Sequence, residues 1–259
     1  YVSAVLILIH MAKQNDDCKF RIRDLKNGVD KPELKNVLGL GIPSGLQNAI
    51  FAVANLFIQS AVNSFDSVMV EGNSAAANSD AIIYNVMAAF YTACSTFMGQ
   101  NLGAGKHDRM LKSYFIGIAY SFAAGALLGG ALFLFGREFL SLFSNEEAVI
   151  EAGLQRTRIM SFSYAVSAFM DCTIAACRGI GKSLVPTIIV IMGSCVFRIV
   201  WIYTVFAYFH TIPSLYLLYI FSWTITALAE IACFVVCYKK LKRSFAENGG
   251  TAGGAPSVA

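Results

Sequence analysis

Charge is scarce in this sequence. Only 14% of its 259 residues are Asp, Glu, Lys or Arg, where a soluble domain carries about a quarter. The charges it has are clustered, leaving long uncharged runs, and that pattern excludes an ordinary water-soluble domain. Alternating segments of ~10 residues are also lacking, which excludes a transmembrane β-barrel. The three histidines, His10, His107 and His210, are scattered, so no metal cluster is expected. The seven cysteines, Cys18, Cys94, Cys172, Cys177, Cys195, Cys233 and Cys237, show no CxxC spacing. An odd number in that arrangement argues against a disulfide framework or a zinc site and for reduced packing residues. Two stretches imitate nucleotide loops. Gly181-Lys182-Ser183 has Ala176 where the earlier glycine is required, and Gly105-Lys106 is followed by His107, with Gln100 five positions before Gly105. Neither follows a strand, so both are read as tight turns and caps after helices. No paired acids and no nucleophile–base set stand out at a membrane face. An enzyme is not expected, and neither is a cofactor.

Apolar residues are abundant, at 56% of the chain. They form runs at about 37–64, 81–102, 111–136 and 215–238, and a hairpin of two more over about 152–209. Each run has about 20 residues or more, enough for a helix to cross a ~30 Å hydrocarbon layer. The fold class expected is all-α: a polytopic helical membrane protein with six transmembrane helices plus the end of a preceding one at 1–11. No basic segment precedes that apolar stub, so a signal peptide is not expected. The simpler reading is a fragment that starts inside a membrane helix. Residues 12–36 read as a charged cytoplasmic loop and 37–243 as a six-helix lobe. The tail at 244–259, rich in Gly and Ala, reads as disordered. A polar linker containing Gly72 and several Asn and Ser separates the first two spans, and an amphipathic connector, GREFLSLFSNEEAVIEAG, follows the third. With 12–36 in the cytoplasm, 16 of the 20 Lys and Arg fall on that side. Arg137, Arg156 and Arg158 fall outside, and Arg198 is left in the membrane. This lopsidedness sets the orientation, with the C-terminus in the cytoplasm.

Polar residues recur inside the spans at helical spacing. Ser44, Asn48, Asn55, Gln59 and Asn63 share one face, as do Asn85, Thr92 and Thr96. Tyr164, Ser167 and Asp171 align in the first helix of the hairpin, Ser194, Arg198 and Trp201 in the second, and Trp223, Thr226 and Glu230 in the last span. Such residues serve either as hydrogen-bonding glue between helices or as the wall of a shared polar cavity. Asp171 and Glu230 read as the only acids well inside spans and Arg198 as the only base there, and intramembrane charges of this kind usually mark a partner, a cavity or an ion path. Asp171 either forms a fixed ion pair with Arg198 or exchanges a proton or sodium ion. Glu230 either serves the site or snorkels to the nearby interface. Gly125 and Gly129 form a GxxxG, a mark of close helix packing.

Several pieces, in order, resemble the multidrug and toxic compound extrusion (MATE) family. Gly41-Ile42-Pro43-Ser44 is similar to the start of that family's seventh helix, GQNLGAGKHDRM to the loop after its eighth, FLSLFSNEEAVIEAG to its connector between helices nine and ten, and CRGIGKSLVP to the turn before helix eleven. The resemblance implies a transporter of twelve helices in two lobes, of which this chain is the C-terminal one, and so a missing N-terminal lobe as partner. It implies efflux of cationic, lipophilic drugs across the plasma membrane by H⁺ or Na⁺ antiport with alternating access. Asp171 resembles an acid that some members carry in helix ten. The first full span has only Asn and Gln where some members carry a carboxylate. Asp171, Arg198, Asn48, Asn55, Gln59, Tyr164, Ser167 and Glu230 are the candidate residues of the ion-coupling and substrate cavity. Two other readings stay open: a lipid-linked oligosaccharide flippase of the same superfamily, and an inactive or scaffolding membrane lobe.

Overall fold

The computed structural model of the chain describes residues 1–13 and 30–247. Among these residues it is all helix, and six helices are long and apolar enough to cross a membrane. The elements are α1 (Val2–Lys13), α2 (Lys31–Val62), α3 (Ser67–Gly103), α4 (His107–Leu134), a short α5 (Gly136–Leu140), α6 (Glu147–Gly179), α7 (Leu184–Phe209) and α8 (Ile212–Glu247). The chain divides into two units, Tyr1–Gly39 and Leu40–Ala259. In the first, α1 is a short exposed apolar helix.

Helix α6 is the centre of the bundle. Two-thirds (67%) of its membrane-length window is buried, against 11–33% for the other five. It can be approached so closely because its neighbours present glycine and other small residues, the means by which membrane helices pack without a hydrophobic drive. A Cβ added at Gly72 of α3 would stand 2.7 Å from the Val149 carbonyl oxygen and 2.6 Å from the Gly153 nitrogen of α6. On α4, a Cβ at Gly129 would collide with the Ser161 carbonyl oxygen, and one at Gly125 would stand 3.1 Å from that of Tyr164. The GxxxG is thus a backbone contact between α4 and α6.

The six spans lie where the apolar runs place them, but three boundaries differ from expectation. The polar linker between the first two spans does not exist as such: α3 begins at Ser67. Asp66 caps it, its Oδ1 accepting from the Met69 amide at 2.8 Å, and such a cap is enough to start a helix in a stretch rich in Asn and Ser. Gly72, Asn73 and Ser79 are buried there, Gly72 and Asn73 against α6, while Ser74 and Asn78 are exposed, a division that periodicity of apolar residues does not reveal. The last helix runs through Glu247, so residues 244–247 of the expected disordered tail are helical. The charged loop expected at 12–36 is shorter, since α1 reaches Lys13 and α2 starts at Lys31. Residues 14–29, Cys18 among them, and the tail from 248 lie outside the described residues.

The two supposed nucleotide loops are helix ends. Gly105 (φ 66°) and Gly181 (φ 78°) take the left-handed conformation that glycine adopts without strain. Past each, the next amide reaches back to the helix, Lys106 N to Asn101 O at 2.8 Å and Lys182 N to Cys177 O at 2.9 Å, closing off carbonyls that the helix leaves open. Helix α7 is not a regular α-helix. Two π-helical stretches, Ile191–Val196 and Ile202–Phe206, flank the α-helical turn Phe197–Trp201 that carries Arg198. Such wide turns inside helices occur most often at functional positions.

Candidate functional site

A cavity of about 650 Å³ opens among α2, α3, α6, α7 and α8. Of the sequence-derived candidates, Asn48, Asn55, Asp171 and Arg198 line it. The others do not. Gln59 is exposed and donates to Asn63 Oδ1 at 2.9 Å, one turn away on its own helix. Ser167 is buried and bonds the Tyr164 carbonyl of its own helix at 2.9 Å. Tyr164 is buried behind the wall, its hydroxyl donating to Asp80. Glu230 is fully buried, and neither carboxyl oxygen has a hydrogen-bond partner. It does not snorkel to the interface, nor does it line the cavity.

Of the two alternatives for Asp171, the fixed ion pair with Arg198 is absent: the ion pairs among the described residues are those of Arg137 with Glu147 and Glu151, and of Arg156 with Asp80. The Oδ2 of Asp171 is buried without a hydrogen-bond partner. Arg198 turns instead into a nest of rings, its guanidinium carbon 4.6 Å from the centre of Tyr219, 5.6 Å from Phe51 and 5.7 Å from Trp223. Its Nε lies 3.3 Å from Ser222 Oγ. That contact is one rung of a ladder between α7 and α8, with Ser194 and Thr226 hydroxyls 3.0 Å apart and Trp201 Nε1 donating to the Ser214 carbonyl at 2.8 Å. On α7 the polar stripe therefore acts as interhelical glue and as cavity wall at once. At another edge of the cavity Arg178 donates from Nη2 to Gln47 Oε1 at 2.9 Å, tying α6 to α2.

Sequence reasoning missed the most connected polar group in the bundle. Asp80, on the part of α3 that the sequence presents as a linker, lines the cavity and pairs with Arg156, a buried residue although its sequence position suggests an outer loop. Arg156 Nη1 also donates to the Asn73 carbonyl at 2.8 Å and to Asn73 Oδ1 at 3.0 Å, and the Tyr216 hydroxyl donates to the same Oδ1 at 2.6 Å. The network joins α3, α6 and α8. The polar stripe on α3 is also corrected: Asn85, Thr92 and Thr96 are exposed, and Asp80, Tyr84 and Tyr91 are the polar residues of that helix that line the cavity, beside Ala77 and Ala81. Their spacing of four and seven was a legible signal, hidden once the first turns of α3 had been assigned to a loop. Tyr84 stands edge-on to Trp223, ring centres 6.1 Å apart, so the cavity combines charged groups with a flat aromatic wall. The described residues hold no group of three or more His, Cys, Asp and Glu suited to a metal ion.

The comparisons with known proteins agree with this architecture. A family model described as MatE matches residues 43–204. The chain is similar to the probable multidrug resistance protein YoeA of Bacillus subtilis (strain 168), with 24% identity over 192 residues, 73% of this chain and 41% of that protein. It is 30% identical over 128 residues to the probable multidrug resistance protein YpnP of the same organism, which covers 49% of this chain and 29% of that one. Among solved structures, an outward-facing multidrug resistance MATE family transporter of the MOP superfamily superposes with a TM-score of 0.82 at 18% identity, over 93% of this chain and 54% of its own. The chain thus spans about half the length of the proteins it matches or less. With the family model matched over residues 43–204 and six helices folded as in a solved member, this chain belongs to the MATE family of membrane transporters.

Proposed function

We propose that this chain is the C-terminal lobe of a secondary exporter that moves lipophilic cationic drugs out of the cell in exchange for H⁺ or Na⁺. The observation that carries the reading is the cavity with Asp171 in its wall, one carboxylate oxygen buried and without a partner. A carboxylate so placed takes up a proton or a small cation at little cost in lost hydrogen bonds, and intramembrane acids of this kind serve as relays and coupling sites. Asn48 and Asn55 supply neutral hydrogen-bonding groups to the same wall, and Tyr84 and Trp223 supply π faces against which a flat cation packs. A second lobe, facing this one across the cavity, completes the transporter, and alternating access comes from rocking of the two lobes about a midplane site. The protein sits in the plasma membrane with its C-terminus in the cytoplasm, as the distribution of Lys and Arg supports.

The test uses the full-length protein in everted membrane vesicles with a fluorescent cationic dye, under an imposed pH gradient and then a sodium gradient. Dye movement driven by one gradient and lost in Asp171→Asn at equal expression supports coupling through this lobe. Movement that survives the substitution keeps the exporter and removes Asp171 from coupling. Absence of movement under either gradient refutes the efflux reading.

A further inference from the structure

Arg198 forms no ion pair among the described residues. It is only 3% exposed. Its Nε contacts Ser222 Oγ, but neither terminal nitrogen has a hydrogen bond from the protein, and neither is sealed from the cavity that the residue lines. The four N–H donors of the terminal fork are therefore left without an acceptor from the described residues. The rings of Tyr219, Phe51 and Trp223 lend the cation partial support from their faces, but rings accept nothing from the in-plane N–H groups. A buried guanidinium usually finds an acceptor for those donors.

The charges around it sharpen the point. Two acids line the cavity, Asp80 and Asp171, and two bases, Arg178 and Arg198. Asp80 is already answered by Arg156 on the far side of the wall. Asp171 and, behind the wall, Glu230 lie within electrostatic reach of Arg178, which also has its Nη2 on Gln47. The unanswered positive charge with free donors is Arg198.

We infer that Arg198 is an oxyanion subsite of the cavity, which takes the carboxylate, sulfonate or phosphate of a flat aromatic compound whose ring system lies against Tyr219, Trp223 and Phe51. The fork matches two oxygens of a planar oxyanion, a geometry that an ammonium group does not reproduce. The subsite extends the range of the cavity from cations to aromatic acids. It rests on the reading of the cavity as the substrate site.

The experiment compares three probes with one ring system in the full-length protein in nanodiscs: 2-naphthoate, 2-naphthalenemethanol and 2-naphthylmethylamine. Binding is followed by tryptophan quenching at neutral pH with protein-free nanodiscs subtracted. In the unaltered protein the acid is expected to bind at least about tenfold more tightly than the alcohol, as one charge-assisted hydrogen bond already provides. Arg198→Gln is expected to abolish that preference, and Arg198→Lys, which keeps the charge but not the fork, to retain only part of it. A melting curve accompanies each variant, and if Arg198→Gln does not fold, the Lys variant alone decides. An acid that binds no better than the alcohol overturns the subsite, as does a preference that persists in the variants. If the amine binds and the acid does not, the substrate cavity stands and only the subsite falls. If none of the three binds, the cavity reading fails and takes the subsite with it.

Discussion

Arg156→Leu is expected to destabilise this bundle severely, for a reason that can be put in numbers. The guanidinium holds three acceptors: the Asp80 carboxylate, the Asn73 carbonyl and Asn73 Oδ1. Single hydrogen bonds between membrane helices average only about 0.6 kcal/mol, so the two to Asn73 account for about 1 kcal/mol together. The charge pair is a different matter. The Arg156 side chain is 7% exposed and that of Asp80 20%, and removal of one partner of a buried pair costs about 3–5 kcal/mol because the other charge is left stranded. The stranded carboxylate, with only the Tyr164 hydroxyl for support, therefore decides the outcome. At about 2–4 °C per kcal/mol for a chain of this size, a loss near 4 kcal/mol lowers the melting midpoint by roughly 8–16 °C. A thiol-reactive fluorogenic dye reads the transition directly, since Cys94, Cys172, Cys177 and Cys195 are buried and free and become reactive only on unfolding. Removing both charges, in Arg156→Leu with Asp80→Leu, leaves nothing stranded and is expected to recover at least half of the loss. If Arg156→Leu lowers the midpoint by less than about 3 °C, or if the double variant falls by the sum of the two single ones, the stranded-charge argument is wrong.

Three further outcomes follow from the same packing. Gly129→Val should cost about 1–3 kcal/mol by forcing α4 off α6, while Gly130→Ala, whose added Cβ meets nothing within 4 Å, should be neutral or slightly stabilising. Equal melting midpoints for the two would contradict the close approach. Glu230→Leu removes a buried carboxyl with no partner for either oxygen, a group that costs about 1–3 kcal/mol when left unmade, so the midpoint should rise. A fall would mean that the charge of Glu230 supports Arg178, which lies within its electrostatic reach. In the folded protein a membrane-permeant maleimide should label Cys233 and Cys237, which are partly open, well before the four buried cysteines. Mass spectrometry of short reaction times that found Cys172 or Cys177 modified first would reverse that order.

The spans were legible because burial in lipid demands long apolar runs, and six such runs cannot be mistaken for anything else. Turn glycines were legible too, since Gly105 and Gly181 stand where only a left-handed residue closes the helix. The start of α3 was not. Its first turns pack small polar residues against α6, and nothing in a hydropathy pattern distinguishes Asn and Ser that face a neighbouring helix from Asn and Ser that face water. With those turns read as a linker, Asp80 became a loop residue and Arg156 an outer-side charge, although the two form the buried pair of the bundle. Asp171 and Arg198 both reach the cavity wall, but the pairing that was one reading of them is absent. Their depths allowed a pair, but depth says nothing of rotation about the helix axis, and α7 presents Arg198 to rings instead. Of the candidate residues, the four on the wall were reachable by spacing. Gln59, Ser167 and Glu230 shared those spacings but bond along their own helix or lie behind the wall.

The central position of α6 has a consequence for how this sequence can change over time. Three long neighbours lean on one helix whose surface is mostly hidden, so nearly every substitution on it is seen by two elements at once. A library of random variants should therefore show a steep gradient: few accepted changes along α6, and many apolar exchanges on the outer face of α2, where only the entry of a charge is punished. Drift in this chain is channelled toward its periphery, and the wall of the cavity contributed by α6, with Asp171 in it, is anchored in the part least free to vary.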